Sequence, residues 1–234
     1  MNLTVIVSAL LAGIVPALLW LWFWLKEDNL NPEPRRLIIS CFIAGILSVI
    51  IAIILEKFVQ DAVTDTSLRY IIWAGIEEIV KFFAMVVIVF RSKDLDEPID
   101  AMMYCITAAL GFAALENALF ILSPISNGEI STSLVMSNLR FLGATLVHVI
   151  SSAIIGFALG LSFYKSSITK FFFVITGLIL AIVLHASFNL AIMNGTVMST
   201  LKIFGWVWLS VVILIILFEE VKAVHPPVTE KVIE

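Results

Sequence analysis

The sequence predicts an all-α protein, a polytopic membrane bundle of about seven transmembrane helices. Composition is the first observation, because 61% of the 234 residues are hydrophobic and only 14% are charged. A soluble domain is usually about half apolar. The second observation is that the apolar residues are grouped in runs of about 20, the length that spans a hydrocarbon core. The third observation is that short polar segments separate the runs.

Seven apolar segments follow one another along the chain, and each is predicted to be one span. They cover residues 3–25, 37–55, 70–90, 99–122, 139–163, 171–193 and 203–218. Polar breakers at 31–36 and 91–98 separate early spans, and the segment opening at Ser123 is expected to be the longest loop. With no evident repeat, residues 1–234 are predicted to form a single transmembrane domain, with its functional core at about 70–193.

The distribution of Lys and Arg predicts the orientation, because these residues are more frequent in cytoplasmic loops. The first run lacks the charged start and small-residue cleavage site of a signal peptide, so we expect it to be a retained span. An outside N-terminus then gives nine cytoplasmic basic residues against four on the outer side, which are Lys57, Arg69, Arg140 and Lys202. The prediction is N-terminus outside and C-terminus cytoplasmic. No basic stripe suggests nucleic-acid binding.

The third span contains ionisable residues at a depth where they are costly. Glu77, Glu78 and Lys81 lie within five residues of one another, with apolar residues on both sides. A charged side chain inside a membrane is by default a candidate functional group with a specific partner. Lys81 is i,i+4 from Glu77 and i,i+3 from Glu78, so it can pair with either while the other faces a cavity.

Ionisable residues on three further spans share the depth of the glutamate pair. At about 1.5 Å of rise per residue, Glu77 and Glu78 lie roughly 10–12 Å below the outer boundary. Glu116 lies at roughly 9 Å, His148 at roughly 13 Å and His185 at roughly 12 Å. A single buried histidine is readily explained as a hydrogen bond between helices. Five such groups in one layer indicate chemistry instead, since plain packing would scatter them.

At these residues the sequence resembles the PrsW-type intramembrane proteases, which are relatives of the type II CAAX prenyl proteases. The segment from Glu77 to Lys81 matches the motif Glu-Glu-x-x-Lys, and Phe112 to Glu116 matches Phe-x-x-x-Glu. His148 with Ser152 resembles the third motif, and His185 to Asn189 resembles the last. Asp100 with Tyr104 also looks family-like. The resemblance covers about residues 73–189.

Two positions differ from the relatives. Asn189 has the form of the prenyl proteases rather than the Asp of many PrsW sequences, and Glu116 stands where prenyl proteases carry His. The resemblance therefore implies peptide hydrolysis but not CAAX processing. It implies a metal-free, glutamate-dependent reaction without a cofactor, in a bacterial plasma membrane.

The implied substrate is a single-pass membrane protein resembling an anti-sigma factor. Cutting it near the outer face would be the first cleavage of a stress-signalling cascade, with a downstream membrane protease acting next. The protein's other partner is the lipid bilayer.

Peptide hydrolysis needs an activated water, a site for the oxyanion and a proton for the leaving amine. We assign Glu77 as the general base and Glu78 as the orienting carboxylate paired with Lys81, although the two glutamates are interchangeable in sequence. Glu116 would share the water or its proton. The remaining assignments are His185 and Asn189 as donors to the oxyanion, and His148 as the group that positions the water or protonates the amine.

Three alternatives are open, and the first two use the same residues. Two histidines and a carboxylate form a donor set for Zn²⁺ with an open position, although the sequence has no His-Glu-x-x-His. A proton-coupled transporter would use the buried acids as a relay, but it predicts internal repeats or broken helices that the sequence does not show. A scaffold would bind other membrane helices without turnover.

Overall fold

The computed structural model describes residues 2–28, 31–90, 92–193 and 197–227. Within these ranges the chain is helical, without strands, which confirms the all-α prediction. The helices are α1 (Leu3–Glu27), α2 (Arg35–Ala62), α3 (Thr66–Val89), α4 (Pro98–Ser126), α5 (Ile130–Leu139), α6 (Thr145–Leu161), α7 (Ser167–Met193) and α8 (Val197–Lys222). A π-helical turn, Arg140–Ala144, joins α5 to α6.

Six helical stretches are long and apolar enough to cross a membrane. They are α1, α2, α4, the continuous stretch Ile130–Leu161, α7 and Leu201–Lys222 within α8. The third predicted span corresponds to α3, which is 24 residues long but carries Glu77, Glu78 and Lys81 near its centre. These three side chains are buried within the bundle rather than facing lipid. The polytopic bundle is therefore as predicted, while the orientation remains a prediction.

The helix α4 forms the centre of the bundle. It packs against α1, α2, α3, α6 and α8, and nearly every side chain in its first half is buried. Two glycines bring α2 and α4 into backbone contact, because a Cβ at Gly45 would overlap the carbonyl of Ala108 and one at Gly111 that of Phe42. Small residues allow such close approach of helices. Polar side chains on α4 are consequently held at fixed positions by neighbouring helices.

The prediction of a long loop after Ser123 was wrong. Helix α4 continues through Pro124 to Ser126, and α5 begins at Ile130, so residues 127–129 alone make the connection. Pro124 is tolerated because it lies in the last turn of the helix, where only one backbone hydrogen bond is lost. Gly128 supplies the turn with a φ of 77°, a conformation that costs glycine little.

Two polar clusters lie at different levels of α4, one near its start and one in its second half, called here the Asp100 end and the Glu116 end. Asp100 marks one and Glu116 the other, sixteen residues apart, which corresponds to about 24 Å along the helix axis. Between them the helix is lined with buried apolar residues. The bundle thus separates two polar sites by an apolar core.

Candidate active site

Glu78 is the most completely satisfied carboxylate at the Glu116 end. Its side chain is fully buried, and Lys81 Nζ donates to Oε1 at 2.6 Å. His185 Nδ1 lies 2.7 Å from the same oxygen, while Ser152 Oγ donates to Oε2 at 3.2 Å. Because adjacent helical residues point about 100° apart, Glu77 is directed elsewhere. The structure therefore pairs Lys81 with Glu78, the pairing assigned from sequence.

The two histidines are each held by a carboxylate on one ring nitrogen. Lys81 Nζ has only protons to donate and lies 3.1 Å from His148 Nδ1, so that nitrogen accepts and Nε2–H donates to Glu116 Oε2 at 2.8 Å. His185 Nδ1 donates to Glu78, which leaves a lone pair on Nε2. In each ring the nitrogen nearer to Glu77 therefore carries the lone pair. The lone pair of His185 Nε2 is free, whereas that of His148 Nδ1 accepts from Lys81.

Glu77 lies between the two imidazoles. Its Oε2 is 3.8 Å from His148 Nδ1 and 3.7 Å from His185 Nε2, and it is buried with no hydrogen-bond partner in the described part of the chain. A buried carboxylate oxygen without a partner is costly. We therefore expect a ligand, water or ion to occupy the space between these three side chains.

The same three residues fit a metal ion. Ligand atoms of Glu77, His148 and His185 all lie within 4.8 Å of one another. One carboxylate and two histidines form a zinc donor set that leaves a fourth position open. Metal-bound histidines usually donate their other N–H to a carboxylate, and Glu78 and Glu116 stand in that position here.

Arg140 is a site residue that the sequence analysis missed, because it was counted as a basic residue of an outer loop. Its Nη2 donates to Glu116 Oε2 at 2.6 Å, its Nε donates to Asn117, and its guanidinium lies 4.0 Å from the Phe120 ring centre. The π-helical turn Arg140–Ala144 places the Arg140 side chain against α4. Asn117 directly after Glu116 in an apolar run was the available signal, since a buried acid and amide need hydrogen-bond partners.

A cavity of about 730 Å³ opens onto the cluster. Its polar wall contains Glu77, Glu116, Arg140, His148 and His185. Its other walls are largely apolar and come from α2, α4, α6, α7 and α8. The volume accommodates several peptide side chains.

Two further polar residues line this cavity. Asn189 is the last of the predicted site residues, and it lies in the wall supplied by α7. Glu56, immediately beyond the predicted second span, lies in the wall supplied by α2 and was not among the predicted site residues. All seven residues predicted from sequence, Glu77, Glu78, Lys81, Glu116, His148, His185 and Asn189, are therefore in or beside one site.

Comparisons with known proteins show the family of the chain. The profile of the family described as PrsW family intramembrane metalloprotease matches residues 33–218. Proteins named Protease PrsW are 29% identical over 157 residues in Geobacillus kaustophilus, 24% over 186 in Shouchella clausii and 28% over 190 in Oceanobacillus iheyensis. These alignments cover 65%, 78% and 78% of this chain, and 66%, 82% and 81% of the respective relatives.

No solved structure matches the chain. The relatives are named as proteases, which supports a peptidase activity. The family match spans most of the chain and includes every residue of that cluster. The chain therefore belongs to the PrsW family of intramembrane metalloproteases.

Proposed function

We propose that the chain is an endopeptidase that hydrolyses a membrane-anchored protein at the cluster of Glu77, His148 and His185. The unpartnered Glu77 Oε2 between two carboxylate-held imidazoles is the observation that carries the proposal. This arrangement leaves one buried space that faces Glu77 Oε2 and the free lone pair of His185 Nε2, with His148 Nδ1 as a third donor once its hydrogen bond from Lys81 is released. The adjoining cavity gives a polypeptide access to that space.

The donor geometry supports the zinc alternative over the metal-free reaction that the family resemblance first implied. His185 directs the free lone pair of Nε2, rather than an N–H group, toward Glu77. His148 Nδ1 also lies nearest to Glu77 but accepts from Lys81, so a metal ion would have to displace that hydrogen bond. This tautomer of His185 suits a metal ligand and does not suit the role of oxyanion donor. When bound by Glu77, His148 and His185, a divalent metal ion would activate water and polarise the scissile carbonyl.

The chain's own residues supply the proton chemistry. Glu116 lines the cavity and is the carboxylate placed to take a proton from water and return it to the leaving amine. Arg140 and His148 both hydrogen bond to Glu116 Oε2, which fixes its direction. Glu78 fixes the tautomer of His185 through Nδ1. Asn189, in the cavity wall, retains its predicted role as an oxyanion donor.

The proposed substrate is a single-pass membrane protein, cut close to the outer face. An anti-sigma-factor-like substrate and a following cut by a second membrane protease complete the proposed cascade. The apolar walls of the cavity support a substrate segment with apolar side chains. If the N-terminus is outside, as predicted, the Glu116 end of α4 lies toward the outer face.

The Glu77→Gln variant tests the peptidase proposal. The purified protein would be reconstituted in liposomes with candidate single-pass substrates, and the fragments identified by mass spectrometry. We expect cleavage to fall by about 10²–10⁴-fold, since the substitution removes one carboxylate from the reacting cluster. Glu220→Gln, at an exposed position of α8, is the matched control and should cleave normally. Equal cleavage by both variants would exclude the Glu77 assignment.

Metal content separates the two mechanisms. Under the zinc mechanism the wild-type protein should contain about one metal ion per chain, while Glu77→Gln and His148→Ala should contain less. Chelation should abolish cleavage, and added Zn²⁺ should restore it. Full activity of metal-free protein, verified by elemental analysis, would instead establish the metal-free reaction.

A further inference from the structure

A second polar cavity of about 300 Å³ lies at the Asp100 end of α4, far from the Glu77 cluster. It lies between the C-terminal end of α1, Asn31, the start of α4 and the end of α8. Its polar lining residues are Glu27, Asp28, Asn31, Glu97, Tyr164, Lys222 and His225. None of them takes part in the proposed hydrolysis.

Asp28 is the unusual group in this cavity. Its side chain is 5% exposed, and its Oδ2 has no hydrogen-bond partner in the ranges that the structure describes. A carboxylate that is almost fully buried requires a compensating proton, cation or hydrogen-bond donor. Because Asp28 lines the cavity, a ligand in the cavity can satisfy it.

The neighbouring acids already have partners. Asp100 Oδ2 accepts from the backbone N–H groups of Asp96 and Glu97, at 2.9 and 2.7 Å. Glu33 accepts from the hydroxyl of Tyr104. These bonds account for Asp100 and Tyr104, the two family-like residues that the hydrolytic site does not use. Asp28 is therefore the acid at this end of α4 that has a buried oxygen without a hydrogen-bond partner among the described residues.

Among the described residues, Lys222 is the lysine that lines the cavity, and its charge partly offsets the rise in the pKa of Asp28 without a hydrogen bond to it. Lys222 Nζ donates to the backbone oxygen of Glu27 and to Glu219 Oε1, both at 2.7 Å. Glu97 Oε1 accepts from Asn31 Nδ2 at 2.6 Å, which leaves the amide oxygen of Asn31 available. The carboxylates of Asp28 and Glu97 and the amide oxygen of Asn31 are therefore oxygen acceptors available around this space.

We propose that this cavity binds a partly hydrated divalent cation of the Mg²⁺ or Ca²⁺ class through Asp28, with Glu97 and the amide oxygen of Asn31 completing the site. Mg²⁺ is commonly held by one or two carboxylates and keeps several of its waters. A cavity of about 300 Å³ has room for an ion and several waters at about 30 Å³ each. One carboxylate without another partner is therefore enough to hold a partly hydrated cation.

The bound cation would connect the end of α1 to the start of α4, with the end of α8 beside it. Asp28 caps α1, and Glu97 is the N-cap of α4. An ion that binds the folded bundle but not the unfolded chain stabilises the fold. This inference concerns stability and is independent of the peptidase proposal.

Thermal unfolding in detergent tests the site, with MgCl₂ or CaCl₂ compared against choline chloride of equal ionic strength. Burial and the nearby Asp100 carboxyl raise the pKa of Asp28 to about 6, so pH 8 keeps its carboxylate charged. At about 100 times the dissociation constant, the Tm of the wild-type protein should rise by about 5 °C or more. In Asp28→Asn that rise should be lost.

Two control variants test whether the cation response comes from Asp28. Asp94→Asn removes an exposed carboxylate just before α4 and should keep the full cation response. Glu77→Gln alters the other cluster and should keep it too, which separates this site from any metal at the Glu77 cluster. If Asp28→Asn does not fold, Glu97→Gln should still show a weakened response.

Direct binding completes the test. Mn²⁺, as a paramagnetic probe, should bind Glu77→Gln protein and be displaced by Mg²⁺, and this binding should be lost when Asp28→Asn is added. An equal Tm shift in wild-type and Asp28→Asn protein would overturn the proposal. So would no cation response at all, which would mean that a proton or water alone satisfies Asp28.

Discussion

The two polar clusters on α4 satisfy their buried acids in different ways. At the Glu116 end, acids meet cations or imidazoles: Glu78 contacts Lys81 and His185, and Glu116 contacts Arg140 and His148. At the Asp100 end, Asp100 instead accepts from backbone N–H groups, and Glu33 from a tyrosine hydroxyl. The first arrangement keeps charged groups paired inside the bundle. The second relies on protons or a bound ion, so it should respond to solution conditions.

Removing the ammonium of Lys81 should have the largest effect. Lys81 and Glu78 are both buried and lie 2.6 Å apart, so Lys81→Met leaves an uncompensated carboxylate inside the bundle. Breaking a buried pair in this way costs about 3–5 kcal/mol. Reversible unfolding in mixed micelles should show this loss, together with a loss of proteolysis.

The Glu78→Gln/Lys81→Met double variant separates stability from activity. With both charges removed, most of the stability should return, because no unpaired ion remains. Cleavage should stay low, since His185 no longer has a carboxylate partner. If the double variant were as unstable as Lys81→Met alone, packing rather than charge would explain the loss.

Arg140→Gln should have an intermediate effect, on catalysis rather than folding. The side chain of Arg140 is 16% exposed, so its loss leaves Glu116 reachable by water rather than isolated. We expect kcat to fall by about 10-fold, as one charge-assisted hydrogen bond is worth about 1.5–3 kcal/mol before solvent screening. Arg140→Lys should recover part of kcat but not the contact with Asn117.

Steady-state cleavage assays would measure this prediction, with KM determined alongside kcat. A positioning role predicts a fall in kcat with little change in KM. A change in KM alone would mean that Arg140 binds substrate and does not hold Glu116.

The depth of the site residues could be predicted from the sequence, whereas their hydrogen-bond partners could not. The spans and the layer of Glu77, Glu116, His148 and His185 follow from hydropathy and helical rise, which are local and regular. Partner choice is a tertiary property: spacing allowed Lys81 to reach either glutamate, and packing places it against Glu78.

The positions of Arg140 and of the residues around Asp100 could not be predicted from the sequence. A π-helical turn shifts the helical register by one residue, and the periodicity of the sequence does not indicate where such a turn lies. Asp28 and Glu33 lie in a loop far from Asp100 in sequence, so nothing local indicates that they share a buried site. The continuation of α4 through Pro124 was missed because a proline near a helix end is compatible with either outcome.

The smallest expected effect is at the Asp100 end, in the pH dependence of stability. Burial and the Asp100 carboxyl raise the pKa of Glu33 well above its ordinary value of 4.5. The folded protein then holds a proton that the unfolded chain releases, so stability should fall as the pH rises from about 5 into the alkaline range. Glu33→Gln keeps an acceptor for Tyr104 and cannot ionise. We therefore expect it to be more stable than wild type at pH 8 by about 1 kcal/mol.

Unfolding curves between pH 5 and 9, at fixed divalent cation concentration, would measure this difference. The Glu33→Gln curve should be flatter than the wild-type curve, whereas the exposed Glu220→Gln variant should follow the wild type. Parallel curves for Glu33→Gln and wild type would show that Glu33 is ionised in the folded protein. The Asp100 end would then resemble the Glu77 cluster in holding charged acids, and a bound cation would be needed to balance Glu33 as well as Asp28.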